Sequence, residues 1–319
     1  MMKATEIIYS VVVPVYNEEL VIKECYKRLK KVMDSTKEGY EIIFINDGSK
    51  DSTLEIAKNI SNPDPNIKVI NFSRNFGHQV AVTAGMDNAC GKAIAIIDAD
   101  LQDPPEVILD MINKWKEGFE VVYGKRLKRK GETLFKKVTS KAYYRILKSM
   151  TTVDIPVDTG DFRLIDRKVC DALKQLPERN RYVRGLVSWV GFKQVAVEYN
   201  REERFAGETK YPLKKMIKFA SDGITAFSYK PLKFATYLGV GMSMLSFISI
   251  LIVIYQKLFT GSTAAGWASL VAISLFFNGL ILTMLGIIGE YIGRIYDEAK
   301  GRPQYIISEK IGFDKVINH

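Results

Sequence analysis

The sequence predicts an α/β domain with a mostly parallel sheet, followed by a two-helix transmembrane hairpin. Short apolar runs alternate with helix-like segments through the first half of the chain, which is typical of a parallel sheet. Polar residues gather where these runs end, and ligands of such sheets bind at the carboxyl ends of the strands. Two later stretches, 234–256 and 258–289, contain no Asp, Glu, Lys or Arg, and each is longer than the roughly 20 residues that span a bilayer.

The elements are predicted in order along the chain. The first strand covers Ile7–Val15, and apolar residues at helical spacing predict a helix over Glu19–Met33. The second strand covers Tyr40–Asn46, and the sequence 52–55 has the pattern of a capping box that opens the next helix. Three further strand-like runs are Ile67–Asn71, Ala93–Ile97 and Glu120–Tyr123. The sequence has neither a GxGxxG nor a GxxxxGK[ST] pattern, so a dinucleotide fingerprint and a P-loop are both unsupported.

The composition of the chain indicates the kind of partner and the cellular compartment. The 319 residues carry a net charge of +10, which indicates an anionic partner. The stretch from Lys125 to Lys148 is strongly basic, and beside a membrane hairpin it favours an anionic lipid surface over nucleic acid. With 3 scattered cysteines and 2 histidines, we expect reduced thiols in the cytosol and no zinc site. Met1–Ser10 lacks an apolar core with a cleavage site, so no secretory signal is expected.

The charges around the apolar stretches predict their orientation. Lys230 and Lys233 precede the first stretch and Lys257 alone separates the two, so both ends are expected in the cytoplasm. Leu213–Phe227 has an apolar stripe beside lysines, which favours an interfacial helix over an ordinary packing helix. The predicted organisation is a cytosolic domain, an interfacial helix, two transmembrane helices in the plasma (inner) membrane and a cytosolic tail: 1–210, 211–230, 231–296 and 297–319.

Two carboxylates, Asp98 and Asp100, follow the run Ala93–Ile97 one residue apart. Two hard oxygen donors at this spacing can hold one Mg²⁺ or Mn²⁺ together with a diphosphate, and Gln102 offers a further oxygen. In many proteins an Asp-x-Asp sequence is only a solvated loop. Its place at the end of a buried strand favours the metal site.

Several motifs occur in a fixed order along the chain: 12–19 (VVPVYNEE), 44–49 (FINDGS), 73–78 (SRNFGH), 98–105 (DADLQDPP), 159–164 (TGDFRL) and 204–211 (RFAGETKY). Together they resemble family 2 glycosyltransferases, most closely the polyprenyl-phosphate branch that includes bactoprenol glucosyltransferases and dolichol-phosphate mannose synthases. The resemblance implies the GT-A, Rossmann-like fold for the first domain. It covers about the whole chain, and it specifies the family better than the sugar.

The resemblance implies roles for particular residues. Pro14, Tyr16 and Glu18 would bound the nucleotide pocket, Asp47 would accept an N–H of the base, and Asp98, Ala99 and Asp100 would contact the nucleotide diphosphate. Because a carboxylate can pair with uracil or guanine, Asp47 does not choose between UDP and GDP. A turn-forming Asp-Gly is the alternative for Asp47.

On the acceptor side, the resemblance places Asp161 beside the acceptor, as the catalytic base or as an orienting group. The alternative is an Asp that caps or pairs with Arg163. Cations for the acceptor phosphate are expected from Arg126, Arg129, Arg201, Arg204 and Lys210. For His78, a structural role with a backbone bond is favoured over that of a proton donor.

The predicted function is the inverting, metal-dependent transfer of a hexose from a nucleotide sugar, by preference glucose from UDP-glucose, to undecaprenyl phosphate at the cytosolic membrane face. A GDP-mannose-dependent synthase is the alternative within the enzyme class, and a non-catalytic membrane scaffold is the alternative outside it. A processive polysaccharide synthase is disfavoured because the sequence lacks a Gln-x-x-Arg-Trp motif. A homo-oligomer is implied, and no nucleic-acid partner is expected.

Overall fold

We describe the protein from a computed structural model, which covers residues 6–127, 156, 159–179, 181–202, 230–255, 258–259 and 266–313. The chain divides into two compact units. The first unit combines 1–149, 153–223 and 303–319, and the second combines 150–152 and 224–302.

The first unit is built around one eight-stranded sheet with the order β7-β5-β6-β4-β1-β2-β3-β8. The strands are β1 Tyr9–Val15, β2 Tyr40–Asn46, β3 Ile67–Phe72, β4 Ala93–Ile96, β5 Val121–Arg126, β6 Thr159–Asp166, β7 Gln194–Tyr199 and β8 Ile307–Ile311. The helices of this unit are α1 Ile22–Ser35, α2 Thr53–Ser61, α3 His78–Asn88, α4 Val107–Lys116, α5 Arg167–Lys174 and α6 Val183–Trp189.

The prediction of a mostly parallel sheet is confirmed. The pairs β1–β2, β1–β4, β2–β3 and β5–β7 are parallel, whereas β4–β6, β5–β6 and β3–β8 are antiparallel. Every residue of β1 and β2 is buried, as expected for strands covered by helices on both faces. This explains why their sequences are continuous apolar runs rather than alternating ones.

The helices differ more from the sequence predictions than the strands do. Helix α1 begins at Ile22 and buries the expected stripe that includes Cys25 and Leu29. The predicted capping box does not form, because Ser52 makes no side-chain cap and Asp51 accepts the Thr53 N–H instead, at 3.0 Å. The side chain that bonds the first N–H of α2 is therefore that of Asp51, one residue before the predicted cap.

Helix α3 lies very close to the sheet, which matters because its first turn carries His78. A Cβ at Gly85 would stand 2.2 Å from Cγ1 of Val12, so no larger residue fits at that position. The absence of a side chain at Gly85 thus allows α3 to pack closely against β1.

The last strand is a feature that the sequence did not predict, since the pattern over 297–319 indicated only a tail. Residues Ile307–Ile311 form β8, which pairs antiparallel with β3. Tyr305 reinforces this contact: its ring stacks on Phe72 at 5.3 Å, and its hydroxyl donates to Asp87 at 3.0 Å. The segment after the apolar helices therefore completes the sheet of the first unit.

The second unit contains two long helices, α7 Lys230–Tyr255 and α8 Trp267–Ala299, which contact each other. Lys230–Ser249 and Phe276–Ala299 are long and apolar enough to cross a membrane. Almost none of their apolar residues are buried against other parts of the protein. They lie where the sequence predicted the hairpin. The predicted interfacial helix, 211–230, lies outside the described residues except for Lys230, with which α7 begins.

Candidate active site

The loops after β1 and β2 are joined to each other at the carboxyl edge of the sheet. Asn17, with φ of 52°, donates its N–H to Oγ of Ser49 at 3.0 Å, and its side-chain oxygen accepts the Lys50 N–H at 2.8 Å. The predicted nucleotide residues flank this junction. Pro14 is buried at the end of β1, whereas Tyr16 and Glu18 are half-buried in the loop. Their contact with a nucleotide stays a prediction.

Asp47 holds the loop that precedes α3. Its buried carboxylate accepts the Phe76 N–H at 2.7 Å, the Gly77 N–H at 3.0 Å and the side-chain amide of Asn75 at 2.9 Å. Burial raises the pKa of Asp47, although the two backbone N–H groups oppose that shift. The role of Asp47 toward a base stays a prediction, and the structure adds a second role, that of fastening this loop to β2.

Asp98 and Asp100 follow β4 as predicted, in a crowded acidic environment. Burial, together with the negative charges of Asp161, Asp100 and Asp103, raises the pKa of Asp98 to about 6, while His78 opposes the shift. The Gln102 N–H donates to Oδ1 of Asp100 at 3.1 Å. A divalent cation would relieve this repulsion between carboxylates, and their oxygens are the donors that Mg²⁺ and Mn²⁺ prefer.

The acidic residues do not form a ready-made metal cage. Among the described residues, no group of three or more His, Cys, Asp or Glu side chains is arranged to hold an ion. Asp98 and Asp100 therefore fit a cation that arrives with part of its ligand set supplied by a diphosphate and water, as Mg²⁺ often does. The chemistry of the donors fits such an ion.

Asp161 lies in β6 and is saturated with hydrogen bonds. Its carboxylate accepts two bonds from Arg184, at 2.7 and 3.2 Å, and one from the side-chain amide of Gln79 at 3.0 Å, and Nε2 of His78 lies 3.3 Å away. Burial alone would raise the pKa of Asp161, but the charges of Arg184 and His78 outweigh it and hold that pKa well below its usual range. Arg163 bonds the carbonyl oxygens of 160 and 161 rather than this carboxylate.

His78 lies between two carboxylates of the site. Its Nε2 is 3.3 Å from Asp161 and 3.6 Å from Asp98. Burial lowers the pKa of His78, but the charges of Asp98 and Asp161 outweigh this effect and raise it to about 9. The sequence favoured a backbone-bonded structural histidine, whereas the structure places the imidazole ring between two carboxylates of the candidate site.

A second cluster, the Asp103 cluster, consists of Asp103, Arg126, Tyr199 and Arg201. Asp103 is only 1% exposed, accepts the Tyr199 hydroxyl at 2.6 Å and pairs with Arg126 at 3.2 Å and Arg201 at 3.7 Å. Two of the five predicted phosphate cations, Arg126 and Arg201, are thus brought together. Arg129, Arg204 and Lys210 lie outside the described residues.

Sequence reasoning missed Arg184, Gln79, Asp103 and Tyr199. Asp103 belongs to the motif 98–105, and its position between Gln102 and two prolines was the only feature of the sequence that could have indicated a functional role. Arg184 and Gln79 carried none, because each is defined by a partner more than 20 residues away in the chain.

Comparison with known proteins identifies the family. The model of the family described as "Glycosyl transferase family 2" matches residues 10–174 of this chain. The chain belongs to glycosyl transferase family 2. A Bacillus subtilis protein, "Uncharacterized glycosyltransferase YkcC", is 66% identical over 96% of this chain and 95% of its own. The "SfII prophage-derived bactoprenol glucosyl transferase" of Shigella flexneri is 42% identical over 94% of this chain and 97% of its own.

Among solved structures, mannosyl-3-phosphoglycerate synthase from Rubrobacter xylanophilus has a TM-score of 0.48 and 15% identity, over 69% of this chain and 72% of that chain. The family match covers β1 to α5 and includes Asp47, Asp98, Asp100 and Asp161. The chain is therefore a glycosyltransferase, and the acidic site described above lies within its family domain.

The strand order of this family 2 glycosyltransferase arranges its site residues in a line. Across the sheet from β2 to β7 come Asp47, the residues after β1, then Asp98 and Asp100 after β4. Asp161 follows on β6, and its register with β4 (Ile96 opposite Arg163) brings Asp161 beside the end of β4. Arg126 on β5 completes the line. The predicted donor residues thus lie at one end of the site, and Arg126 and Arg201, the two predicted acceptor cations among the described residues, lie at the other.

Proposed function

We propose that this glycosyltransferase transfers glucose from UDP-glucose to undecaprenyl phosphate at the cytosolic face of the membrane, with inversion at the anomeric carbon. The observation that carries the proposal is the order of groups along the sheet edge: paired carboxylates, then a histidine ring and a buried ion pair, then two guanidinium groups. That order suits a cation-bound diphosphate at one end and a phosphate monoester at the other. The name of the Shigella relative, 42% identical, supports a glucosyl group and a polyprenyl acceptor.

On the donor side, Asp98 and Asp100, with Gln102, would hold Mg²⁺ or Mn²⁺ against the donor's diphosphate. Bound there, the ion supplies Lewis-acid stabilisation of the negative charge that develops on the departing diphosphate. The chain's own residues orient the site: Asp47 fixes the loop before α3, and His78 at the start of α3 places its Nε2 3.6 Å from Asp98.

On the acceptor side, the nucleophile needs little activation. The second pKa of a phosphate monoester is about 6, so a polyprenyl phosphate is largely dianionic at neutral pH. One phosphate oxygen forms a bond to the anomeric carbon while the bond from that carbon to the diphosphate oxygen breaks, and UDP leaves with the electron pair. Among the described residues, the Asp161 carboxylate accepts only from N–H groups, so we assign it the orientation of His78 and Arg184 rather than the removal of a proton.

Substitution of Asp161 and of Arg184 should separate these roles. Asp161→Asn should lower turnover by roughly a hundredfold at every pH, because misplacement of neighbouring groups is costly in a preorganised site. Arg184→Met removes the largest charge that stabilises the Asp161 carboxylate, so the pKa of Asp161 should rise and turnover at neutral pH should fall roughly tenfold. The measurement is turnover against pH for both variants.

The control for Arg184 is Arg181→Met, since Arg181 donates to the backbone carbonyl oxygens of 176 and 178 and the charge change is the same. An Asp161→Asn enzyme with unchanged turnover would remove Asp161 from the mechanism. Full turnover in Arg184→Met would show that the ion pair between Arg184 and Asp161 is not needed to orient the site.

The function is tested with the full chain in detergent and a short polyprenyl phosphate as acceptor. UDP-glucose, UDP-galactose, UDP-N-acetylglucosamine and GDP-mannose are compared, each with EDTA, Mg²⁺ or Mn²⁺. We expect glucosyl lipid from UDP-glucose in the presence of either ion and none with EDTA. Mannosyl lipid from GDP-mannose alone would establish the alternative enzyme, and no product from any donor would favour the scaffold.

The membrane part of the proposal follows from the two apolar helices and from Lys230 and Lys233 before the first of them. Two spans return the chain to the side from which it left. We propose that this side is the cytoplasm, where nucleotide sugars occur, and that the protein spans the plasma membrane twice. Association of copies into a homo-oligomer stays a prediction.

A further inference from the structure

We propose that Asp103 is a positioning residue for the acceptor: together with Tyr199 it holds Arg126 and Arg201 side by side as a two-guanidinium site for a phosphate monoester. The inference rests on the proposed function and deepens it. It assigns a role to two residues outside the predicted site, and it defines what arranges the acceptor's cations before the lipid binds.

Three separate elements converge on Asp103. It lies in the loop between β4 and α4, Arg126 ends β5, and Tyr199 ends β7. The parallel pairing of β5 with β7 sets Arg126 directly opposite Tyr199, whose hydroxyl donates to Asp103 at 2.6 Å and accepts from Nε of Arg126 at 3.1 Å. The carboxylate also accepts from Nη2 of Arg126 at 3.3 and 3.2 Å, so both of its oxygens bond that guanidinium.

The neighbouring strands leave room for these side chains. A Cβ at Gly160 would stand 2.7 Å from Nη2 of Arg126, and a Cβ at Gly124 would stand 2.8 Å from the Tyr199 ring. Any larger residue at either position would displace the guanidinium or the phenol. The backbone of β5 and β6 is therefore shaped around the Asp103 cluster, which indicates a built site rather than a chance surface pair.

The charges of the cluster leave a positive excess. Two guanidinium groups face one carboxylate, and Nε of Arg201 is buried without a hydrogen-bond partner among the described residues. Burial and the repulsion by Arg126 lower the pKa of Arg201, while the charges of Asp103 and Asp100 oppose that shift. Asp103 offsets this repulsion and leaves one net positive charge, with forked N–H groups that suit phosphate oxygens.

The position of the cluster also suits the acceptor. Because Nη2 of Arg126 approaches Gly160, the guanidinium lies against the residue that precedes Asp161 in β6. A phosphate bound by Arg126 and Arg201 would therefore be next to the Asp161 network. Asp103 acts through these arginines and need not touch the substrate.

The test uses Asp103→Asn, which keeps the shape and removes the charge, and Tyr199→Phe, which removes only the hydroxyl. For each full-length variant in detergent we would measure kcat, the KM for UDP-glucose and for a short polyprenyl phosphate, and the Kd of that phosphate without donor by calorimetry. We expect the acceptor KM and Kd to rise roughly tenfold to a hundredfold in Asp103→Asn, as loss of charged hydrogen bonds implies. Tyr199→Phe should show a smaller rise, and the KM for UDP-glucose should stay within twofold.

The matched control is Asp64→Asn. Asp64 is also a buried carboxylate, bonded by the Tyr26 hydroxyl at 2.9 Å and by Lys30 at 3.0 Å. It precedes β3, however, and so lies at the amino ends of the parallel strands, away from the candidate site. The Asp64→Asn protein should be less stable than the unaltered protein, but its Kd for the acceptor should be unchanged. If the unaltered protein binds no polyprenyl phosphate, the proposed function fails. If it binds and both cluster variants bind within twofold as tightly, or lose donor and acceptor affinity equally, the role of Asp103 is overturned.

Discussion

Asp98→Asn and Asp100→Asn should each lower turnover at least a hundredfold, the largest effect on activity expected for this enzyme. Asparagine keeps the size of the side chain but removes the charge that would hold a cation against the donor's diphosphate. Stabilisation by a metal ion of charge in the transition state amounts to several kcal/mol, and about 1.4 kcal/mol corresponds to a factor of ten in rate. Both variants should also bind UDP more weakly with Mn²⁺ and equally well in EDTA.

The comparison of binding with and without the ion separates a metal role from a general defect. Asp110→Asn is the matched control, since Asp110 is exposed on α4 a few residues later and the change of charge is identical. It should leave turnover and UDP binding unchanged. Full metal-dependent turnover in both Asp98→Asn and Asp100→Asn would contradict the proposed metal site.

Lys68→Met should be the most destabilising of the substitutions considered, although Lys68 lies away from the candidate site. Its Nζ is 2.6 Å from the carboxylate of Glu41, whose side chain is 1% exposed. Glu41 also accepts bonds from the Ser10 hydroxyl at 2.5 Å and the Cys90 N–H at 2.6 Å, so the carboxylate joins β1, β2, β3 and the turn before β4. Removal of the cation would leave a buried, uncompensated charge, which costs about 3–5 kcal/mol.

Thermal unfolding in detergent, followed by circular dichroism, checks this expectation. For a domain of about this size the loss should lower Tm by on the order of 10 °C. Lys27→Met is the control, because Lys27 forms an exposed pair with Glu24 at 3.8 Å, and such pairs contribute about 1 kcal/mol or less. The double variant Lys68→Met/Glu41→Leu should recover part of the stability. Equal Tm values for Lys68→Met and the control would refute the importance of the buried pair.

The sequence predicted the central strands and the acidic edge well, because these features are local. The strands β1 and β2 are continuous apolar runs, and Asp98 and Asp100 directly follow another such run. Their place at the carboxyl edge follows from the rule for parallel sheets. The fold class and the acidic centre of the site can therefore be inferred from short stretches of the chain, each taken by itself.

The remaining part of the site depends on contacts between distant segments. Asp161 reaches Asp98 only because β6 enters the sheet antiparallel to β4, and the pairing register of two strands so far apart in the chain has no local signal. Arg184 reaches Asp161 from α6, and Asp103 meets Arg126 and Arg201 from a loop. The environment predicted for His78 was wrong for the same reason, because no local pattern indicates the two carboxylates that flank its ring.

The eighth strand has a practical consequence for anyone who wishes to study the catalytic unit without lipid or detergent. A chain cut just before Lys230 would lack Ile307–Ile311 as well as the apolar helices. Strand β3 would then be an exposed edge strand with unpaired backbone N–H and C=O groups. Exposed edge strands pair with strands of other molecules, so we expect the truncated protein to aggregate. Grafting residues 303–313 behind the cut through a glycine-serine spacer would restore the missing partner, including the stacking of Tyr305 on Phe72.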